Sequence, residues 1–316
     1  FLSGAKVVRV GLYVDGLYFR NGYHHPQSWY SNYRARGSRH LSRQGIQSGA
    51  EPAELYSQRY LPIGGGMRKV EQLDNYAQSY TSEFPHFEEN FMTHVAYVER
   101  IAQYIQSHSV HAALSLGIGH TEVARRLLAE LTSGPLERYV VVDGAPQMIA
   151  DFRRSIDIMP DGLELIEGYF ETFTTPGCFD VIEAGFIFEH VDDPSLVLNR
   201  LHQYLAPGGC IFIAVPNARS LHRLLGHMAG LLDDMYVLSP SDLALGHKRY
   251  FDLETILALV RDAGFKISKV EGLFLKPFTT SQLSSLDLSP TIWQALLEVS
   301  TGYPEISNAI YVEATT

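Results

Sequence analysis

Cysteine is nearly absent from this chain of 316 residues, which has only Cys178 and Cys210. Two cysteines cannot build a disulfide framework, and neither belongs to a CxxC pair that would suggest a metal knuckle. We therefore expect a protein of the reducing cytoplasm. Long apolar runs are also missing, because segments such as residues 210–215 fall far short of the roughly 18 residues that a membrane-spanning helix needs. The first residues show no basic segment followed by an apolar stretch, so no secretory signal is predicted.

Charged residues are sparse, at 19% of the chain, and acids outnumber bases by 35 to 25. Residues 1–66 hold eight Lys and Arg against three Asp and Glu, whereas the remainder holds 17 against 32. Because nucleic-acid affinity comes mainly from Lys and Arg neutralising phosphates, we expect no nucleic-acid partner. The hydrophobic fraction of 46% excludes a chain that is disordered throughout.

The first 66 residues read differently from the rest. They contain no Met, and three glycines at 64–66 stand directly before Met67. We interpret residues 1–66 as an extension upstream of a native start at Met67. The alternative is a genuine appendage, in which Asp15 and Gly16 turn a hairpin.

From Met67 onward the pattern predicts a helical cap over residues 67–110 and an α/β domain over residues 111–316. Apolar residues at helical spacing predict a long helix over 84–108, and short apolar runs then alternate with helical stretches. Such alternation is typical of a doubly wound, mostly parallel sheet, here of seven strands. The expected strands are 112–116, 139–142, 163–166, 179–183, 210–215, 266–273 and 309–312.

The first expected strand runs into a glycine-containing turn. Gly117 and Gly119 would let the backbone turn sharply towards a ligand at the start of the next helix. Asp143 ends the following strand, where a carboxylate can accept hydrogen bonds from both hydroxyls of a ribose. Together these features predict an adenosine site. The alternatives are a plain strand-to-helix turn and an ordinary aspartate at a strand end.

Six short segments form an ordered series along the domain. They are SLGIG at 115–119, VDGAPQMI at 142–149, FDVI at 179–182, EHVDDP at 189–194, LAPGG at 205–209 and VPN at 215–217. In order and spacing the series resembles the motifs of class I S-adenosylmethionine-dependent methyltransferases. GHKRYF at 246–251 and RDAGF at 261–265 resemble later segments of the small-molecule branch, so the resemblance runs from about Tyr80 to the carboxyl terminus.

The resemblance implies a Rossmann-like fold, S-adenosyl-L-methionine as cofactor and a set of site residues. Gly117 and Gly119 would approach the amino-acid portion of the cofactor, and Asp143 would hold the ribose. Ser115 stands where the family usually has an acid, and Tyr169 where an Asp is frequent. The residues expected to bind the cofactor are Ser115, Gly117, Gly119, His120, Asp143, Gly144, Ala145, Met148, Phe170, Glu171, Ala184 and Gly185. Those expected to bind the substrate are Tyr76, Tyr80, Phe186 and Arg249.

Candidates for catalysis are fewer. His190 and His247 are the histidines best placed by motif to act as a base, and the alternative for each is a packing role. Methyltransferase branches with Glu-x-x-Glu-His carry a metal there, but Phe186 stands at the first position of that pattern, so we expect no metal. Tyr76 and Tyr80 lie on one helical stripe and would contact a sulfonium by cation–π attraction, or simply pack.

The sequence thus predicts a methyltransferase that acts on a small molecule, in a biosynthetic pathway, with no membrane partner. One alternative keeps the cofactor but closes its aminobutyrate arm into azetidine-2-carboxylate, releasing methylthioadenosine. A third class is a binding protein that retains the fold without turnover, which the intact Gly117, Gly119 and Asp143 disfavour. The acceptor atom and the oligomeric state are not predicted.

Overall fold

The computed structural model describes residues 87–316, together with residue 73 and the backbone of two short strands near the amino terminus. These strands, β1 (Tyr13–Val14) and β2 (Leu17–Tyr18), pair antiparallel, as the hairpin interpretation expects. The chain divides into two compact units, Phe1–Met67 and Arg68–Thr316.

The second unit begins, within the described residues, with the long helix α1 (Phe87–Ser107). Val98, Ile101 and Ile105 recur at helical spacing and are buried, which fixes one face of α1 against the sheet. The helix predicted over residues 84–108 is therefore confirmed for its described part.

Seven strands form one sheet in the described part of this unit. They are β3 (Ala112–Leu116), β4 (Arg138–Asp143), β5 (Leu163–Glu167), β6 (Phe179–Gly185), β7 (Leu205–Pro216), β8 (Lys266–Leu273) and β9 (Ala309–Thr315). Their order across the sheet is β5-β4-β3-β6-β7-β9-β8. The first five are parallel, and β9 runs antiparallel to both of its neighbours. The expectation of a seven-stranded, mostly parallel sheet is confirmed.

Helices cover both faces of the sheet. The remaining helices are α2 (Thr121–Ser133), α3 (Pro146–Arg154), α4 (Pro194–Tyr204), α5 (Leu221–Met228), α6 (Pro240–Ala244), α7 (Leu253–Asp262), α8 (Thr280–Ser285) and α9 (Pro290–Ser300). One buried cluster joins α1, α2 and α3 to the sheet, and a second joins α4 and α7 to its other face. This is the doubly wound arrangement, since a parallel sheet has to be covered on both sides. None of the described helices is long and apolar enough to cross a bilayer.

Local sequence explains where several elements begin. Asp252 caps α7 by accepting a hydrogen bond from the Thr255 N–H, and the Thr255 side chain accepts from the Asp252 N–H in return. In β7, Gly208 has a positive φ of 80°, and the register with β6 is irregular between Phe179 and Val181. The strand expected over residues 210–215 therefore begins earlier, at Leu205, and continues past this irregularity.

The strand order changes direction beside β3, because β4 and β5 extend to one side and β6 and β7 to the other. Open α/β sheets bind ligands at such a switch point, beyond the carboxyl ends of the strands. The glycine turn after β3, the end of β4 and the end of β6 all lie at this edge.

Candidate active site

The turn between β3 and α2 is built from glycines in left-handed backbone. Gly117 has a φ of 85° and Gly119 a φ of 44°, backbone angles that residues other than glycine rarely adopt. The Gly117 N–H donates to the Val142 carbonyl at 2.8 Å, which holds the turn against β4. The predicted glycine turn thus leads directly into the N-terminus of α2, where backbone N–H groups lack helical partners.

Asp143 connects this turn to the end of β4. It is 8% exposed, and its two carboxylate oxygens accept hydrogen bonds from the Ile118 and Ala145 N–H groups, each at 2.7 Å. A carboxylate at a strand end beside such a turn lies where open α/β sheets bind their ligands. The structure therefore brings Asp143 beside the glycine turn, as the sequence predicted.

The segment after β5 completes this side of the site. The Gly168 N–H donates to the Asp143 carbonyl at 3.0 Å. A Cβ placed at Gly117 would lie 3.8 Å from Cζ of Phe170, and one placed at Gly144 would lie 3.6 Å from Cδ1 of Tyr169. Phe170 and Gly144 therefore lie beside the glycine turn and Asp143. Glu171 follows on the same segment, and Met148 on α3 is half-buried.

On the other side of the turn, α1 meets the end of β6. A Cβ at Gly185 would fall 2.4 Å from Cε1 of Tyr97, so the phenol ring occupies the space of a side chain there. Ala184 is completely buried in the core on the opposite face. Phe186 has a positive φ of 58°, which is a strained conformation for an aromatic residue.

His94, which was not predicted, contacts both Phe186 and His120 through tilted rings. The His94 ring lies 4.3 Å from the Phe186 ring and 4.4 Å from the His120 ring, measured between centroids. Nδ1 of His94 lies 2.7 Å from the Asn90 carbonyl oxygen, so this nitrogen must carry the proton. Burial lowers the pKa of His94 to about 4 and that of His120 to about 2, and both rings are therefore neutral near pH 7.

Ser115 has a different environment from the one the resemblance implied. Its side chain is completely buried and donates a short hydrogen bond to Glu183 on the neighbouring strand β6. Neither Glu183 nor Tyr97, which donates to the same carboxylate at 3.0 Å, was predicted from the sequence. The available signal was the acid at position 183 in a largely apolar strand, since a buried acid is rarely without a partner.

His190 and His247 form a separate cluster with Glu189. Their rings lie 4.8 Å apart, and the ligand atoms of the three residues lie within 4.8 Å of one another, a spacing that could hold a metal ion. Burial lowers the pKa of His190 to about 3 and raises that of Glu189 to about 7. Nδ1 of His247 also lies 3.4 Å from Asp242.

Arg249 is fixed by the turn that follows β6. Its guanidinium donates to the carbonyls of Phe188, Val191 and Asp192, at 3.0 Å for the first and 3.1 Å for the last. These bonds tie the segment around residue 249 to the end of β6. Tyr76 and Tyr80, the remaining residues predicted to bind substrate, lie outside the described residues.

Comparison with known proteins agrees with this architecture. The model of a methyltransferase domain family matches residues 87–270, more than half of the chain. A solved structure of an S-adenosylmethionine-dependent methyltransferase from Thermotoga maritima has a TM-score of 0.50 and 18% identity, and the match covers 76% of this chain and 99% of that one. At this identity the likeness shows the fold.

Curated relatives match a shorter segment. A ubiquinone biosynthesis O-methyltransferase of Pseudomonas paraeruginosa is 30% identical over 105 residues, which cover 33% of this chain and 44% of that protein. The mitochondrial ubiquinone biosynthesis O-methyltransferase of Rattus norvegicus is 26% identical over 102 residues, covering 32% of this chain and 29% of that protein. The matched segment thus spans less than half of either relative.

The doubly wound, seven-stranded fold is that of the class I S-adenosylmethionine-dependent methyltransferases. The chain belongs to the methyltransferase domain family whose model it matches over residues 87–270.

Proposed function

We propose that this chain holds S-adenosylmethionine at the carboxyl edge of β3, β4 and β6 and methylates a small molecule. The observation that carries the proposal is the junction of the glycine turn with Asp143, whose carboxylate accepts the Ile118 N–H at 2.7 Å. The N-terminus of α2 offers backbone N–H groups to a carboxylate, and Asp143 offers oxygens to ribose hydroxyls. This set of donors and acceptors fits the cofactor.

We assign roles in this site to five of the predicted residues. Gly117 and Gly119 would let the amino-acid portion approach the backbone, while Gly144, Ala145 and Met148 would face the adenine ring. When bound, S-adenosylmethionine supplies a methyl group on a sulfonium. The contribution of the protein is then to align the acceptor in line with that methyl group, because positioning supplies much of the rate in such transfers.

For the acceptor, we propose a hydroxyl group on a small molecule, in a biosynthetic pathway. The support is the name of the curated relatives, which are O-methyltransferases. The acidic balance of residues 67–316 argues against a nucleic-acid acceptor. The alternative reaction, cyclisation of the aminobutyrate arm, finds no support in the family match.

A hydroxyl acceptor has to lose its proton, and two places in the structure offer an imidazole for this step. His190 and His247 remain the bases that the motifs predict. His94 is a second candidate because it contacts Phe186 at the end of β6, and its protonated Nδ1 leaves Nε2 as an acceptor.

The first experiment is to incubate the purified protein with S-adenosylmethionine alone and identify the products by mass spectrometry. We expect the cofactor to bind and to remain intact, and a screen of hydroxylated small molecules should then yield a methylated product and S-adenosylhomocysteine. Methylthioadenosine with a four-carbon amino acid, above the non-enzymatic background, would instead establish cyclisation. Absence of any cofactor binding would overturn the proposal.

A further inference from the structure

Glu183 is a buried carboxylate in the sheet whose described hydrogen-bond donors are neutral. It is 2% exposed and accepts from the Gly185 N–H at 2.7 Å, from the Tyr97 hydroxyl at 3.0 Å and from the Ser115 hydroxyl. Within the described part of the chain, none of the ion pairs includes Glu183. A buried anion without a counter-charge is costly, so this arrangement needs an explanation.

Among the described residues, the groups around Glu183 supply no positive charge. Tyr97, on α1, donates a hydrogen bond to Glu183. Tyr139, on β4, lies beside Ser115 of the neighbouring strand β3 and close to the Glu183 charge. Burial, with the nearby Glu183 charge, raises the pKa of both phenols well above the ordinary value, so both stay protonated. Burial also raises the pKa of Glu183 to about 7, although all three hydrogen bonds oppose this shift. Near neutral pH the carboxyl group is therefore divided between its two protonation states.

The position of Glu183 relates it to the proposed cofactor site. Glu183 pairs in register with Ser115; Ser115 lies one residue before the end of β3 at Leu116, and Glu183 lies two residues before the end of β6 at Gly185. The hydrogen bond from the Gly185 N–H directs the carboxylate towards the same end of the strand. The carboxylate therefore lies close to the carboxyl end of β6. At that edge of the sheet, the glycine turn and β6 would meet the cofactor.

We propose that Glu183 is the counter-charge for the positively charged cofactor, held in place by Ser115, Tyr97 and the Gly185 N–H. This inference rests on the proposed function, because S-adenosylmethionine carries both a sulfonium and an ammonium. Glu183 is a positioning residue: it does not touch the reacting atoms, and its negative charge attracts the cofactor from within the sheet.

The proposal predicts discrimination between cofactor and product, since S-adenosylhomocysteine lacks the sulfonium charge. Glu183→Gln preserves the size of the side chain but removes its charge. We expect it to weaken S-adenosylmethionine binding about tenfold or more, because an opposite charge at close range shifts the pKa of a carboxyl group by about one to three units and one unit corresponds to a factor of about ten. S-adenosylhomocysteine affinity should change less.

Proton release gives a second readout. A cation binding near Glu183 favours the ionised form, so a carboxyl group that is partly protonated at pH 6.5 must release its proton when S-adenosylmethionine binds. Titration calorimetry in two buffers of different ionisation enthalpy measures this release. We expect more protons released by the wild type than by Glu183→Gln, and an affinity that rises between pH 6 and pH 8 in the wild type with a smaller rise in the variant.

Two further variants separate charge from structure. Ser115→Ala removes a neutral donor but keeps the carboxylate, so the preference for S-adenosylmethionine over S-adenosylhomocysteine should persist. The double variant S115D/E183Q places a carboxylate on the paired strand and should restore that preference. If Glu183→Gln does not fold, the calorimetry of the wild type still tests the proposal. Absence of proton release on S-adenosylmethionine binding at pH 6.5 would overturn it.

The failure of this inference differs from failure of the proposed function. If the wild type binds neither ligand, the proposed function fails. If it binds both, and Glu183→Gln leaves the ratio of the two affinities and the proton release unchanged, only the role of Glu183 is overturned.

Discussion

The phenol ring of Tyr97 occupies the space into which a side chain at position 185 would project, with Cζ 2.5 Å from the place of a Cβ. The contact joins α1 to the end of β6, and it depends on glycine at that position. Tyr97 also bonds to Glu183, so the helix and the strand share one buried polar contact.

Gly185→Ala should therefore destabilise the protein by about 1 to 3 kcal/mol, the usual cost of overpacking a core. Urea unfolding followed by circular dichroism measures the change. Gly226→Ala is the matched control, because it lies in α5 with ordinary contact distance around its Cβ, and a helical Gly→Ala change should be neutral or stabilising. Equal stability of Gly185→Ala and the wild type would contradict the contact.

Asp143→Ala should weaken S-adenosylmethionine binding by about 1 to 3 kcal/mol, through loss of charge-assisted hydrogen bonds. Calorimetry or equilibrium dialysis gives the affinity. Asp193→Ala serves as a comparison, since Asp193 caps α4 by accepting the Leu196 N–H, and its loss should lower stability but not affinity. Unchanged affinity in Asp143→Ala would refute the ribose assignment.

His247→Asn tests the motif-based base. If His247 removes the acceptor proton, kcat should fall by about 10² to 10⁴, with little change in the KM for the cofactor. His202→Asn, on α4 against Phe265, should leave kcat unchanged. If kcat falls less than tenfold in His247→Asn but strongly in His94→Asn, the base is His94 on α1 and the prediction for His247 is wrong.

Removal of metal should have no effect. Glu189, His190 and His247 could hold an ion, yet we keep the prediction of a metal-independent enzyme because these three are the only ligands assembled there among the described residues. Dialysis against a chelator should leave the melting temperature and the methylation rate unchanged. Loss of either, restored by adding back a single divalent cation, would show that the cluster is a metal site.

Deletion of residues 1–66 should leave a folded protein that binds the cofactor, because the chain divides into compact units near that boundary. Thermal unfolding and cofactor titration of the shortened chain give the answer. A large drop in melting temperature would show that the deleted residues belong to the fold of the remainder.

Much of the fold could be predicted because alternation and helical spacing are local properties of sequence. The strand Ala112–Leu116 is found where the pattern placed it, and a helix follows the glycine turn as expected. Asp143 could be predicted for the same reason, as it ends an apolar strand. The position of each of these residues is determined by the helix or strand to which it belongs.

The unpredicted parts of the site depend on contacts between distant elements. His94 and Phe186 are brought together only when α1 packs against β6. The Ser115–Glu183 pair depends on the register of two strands that are 68 residues apart in sequence. The backbone bonds of Arg249 likewise follow from tertiary packing, which residue type alone does not reveal.

The position of β9 has a consequence for synthesis. β9 follows β8 in the chain yet lies between β7 and β8. While the chain emerges from the ribosome, β7 presents an unpaired edge and β8 has no neighbour until β9 arrives. An unpaired apolar edge invites association with other chains, and pairing between distant segments is slow. The nascent protein should therefore depend most on chaperones in the interval before residues 309–315 are released.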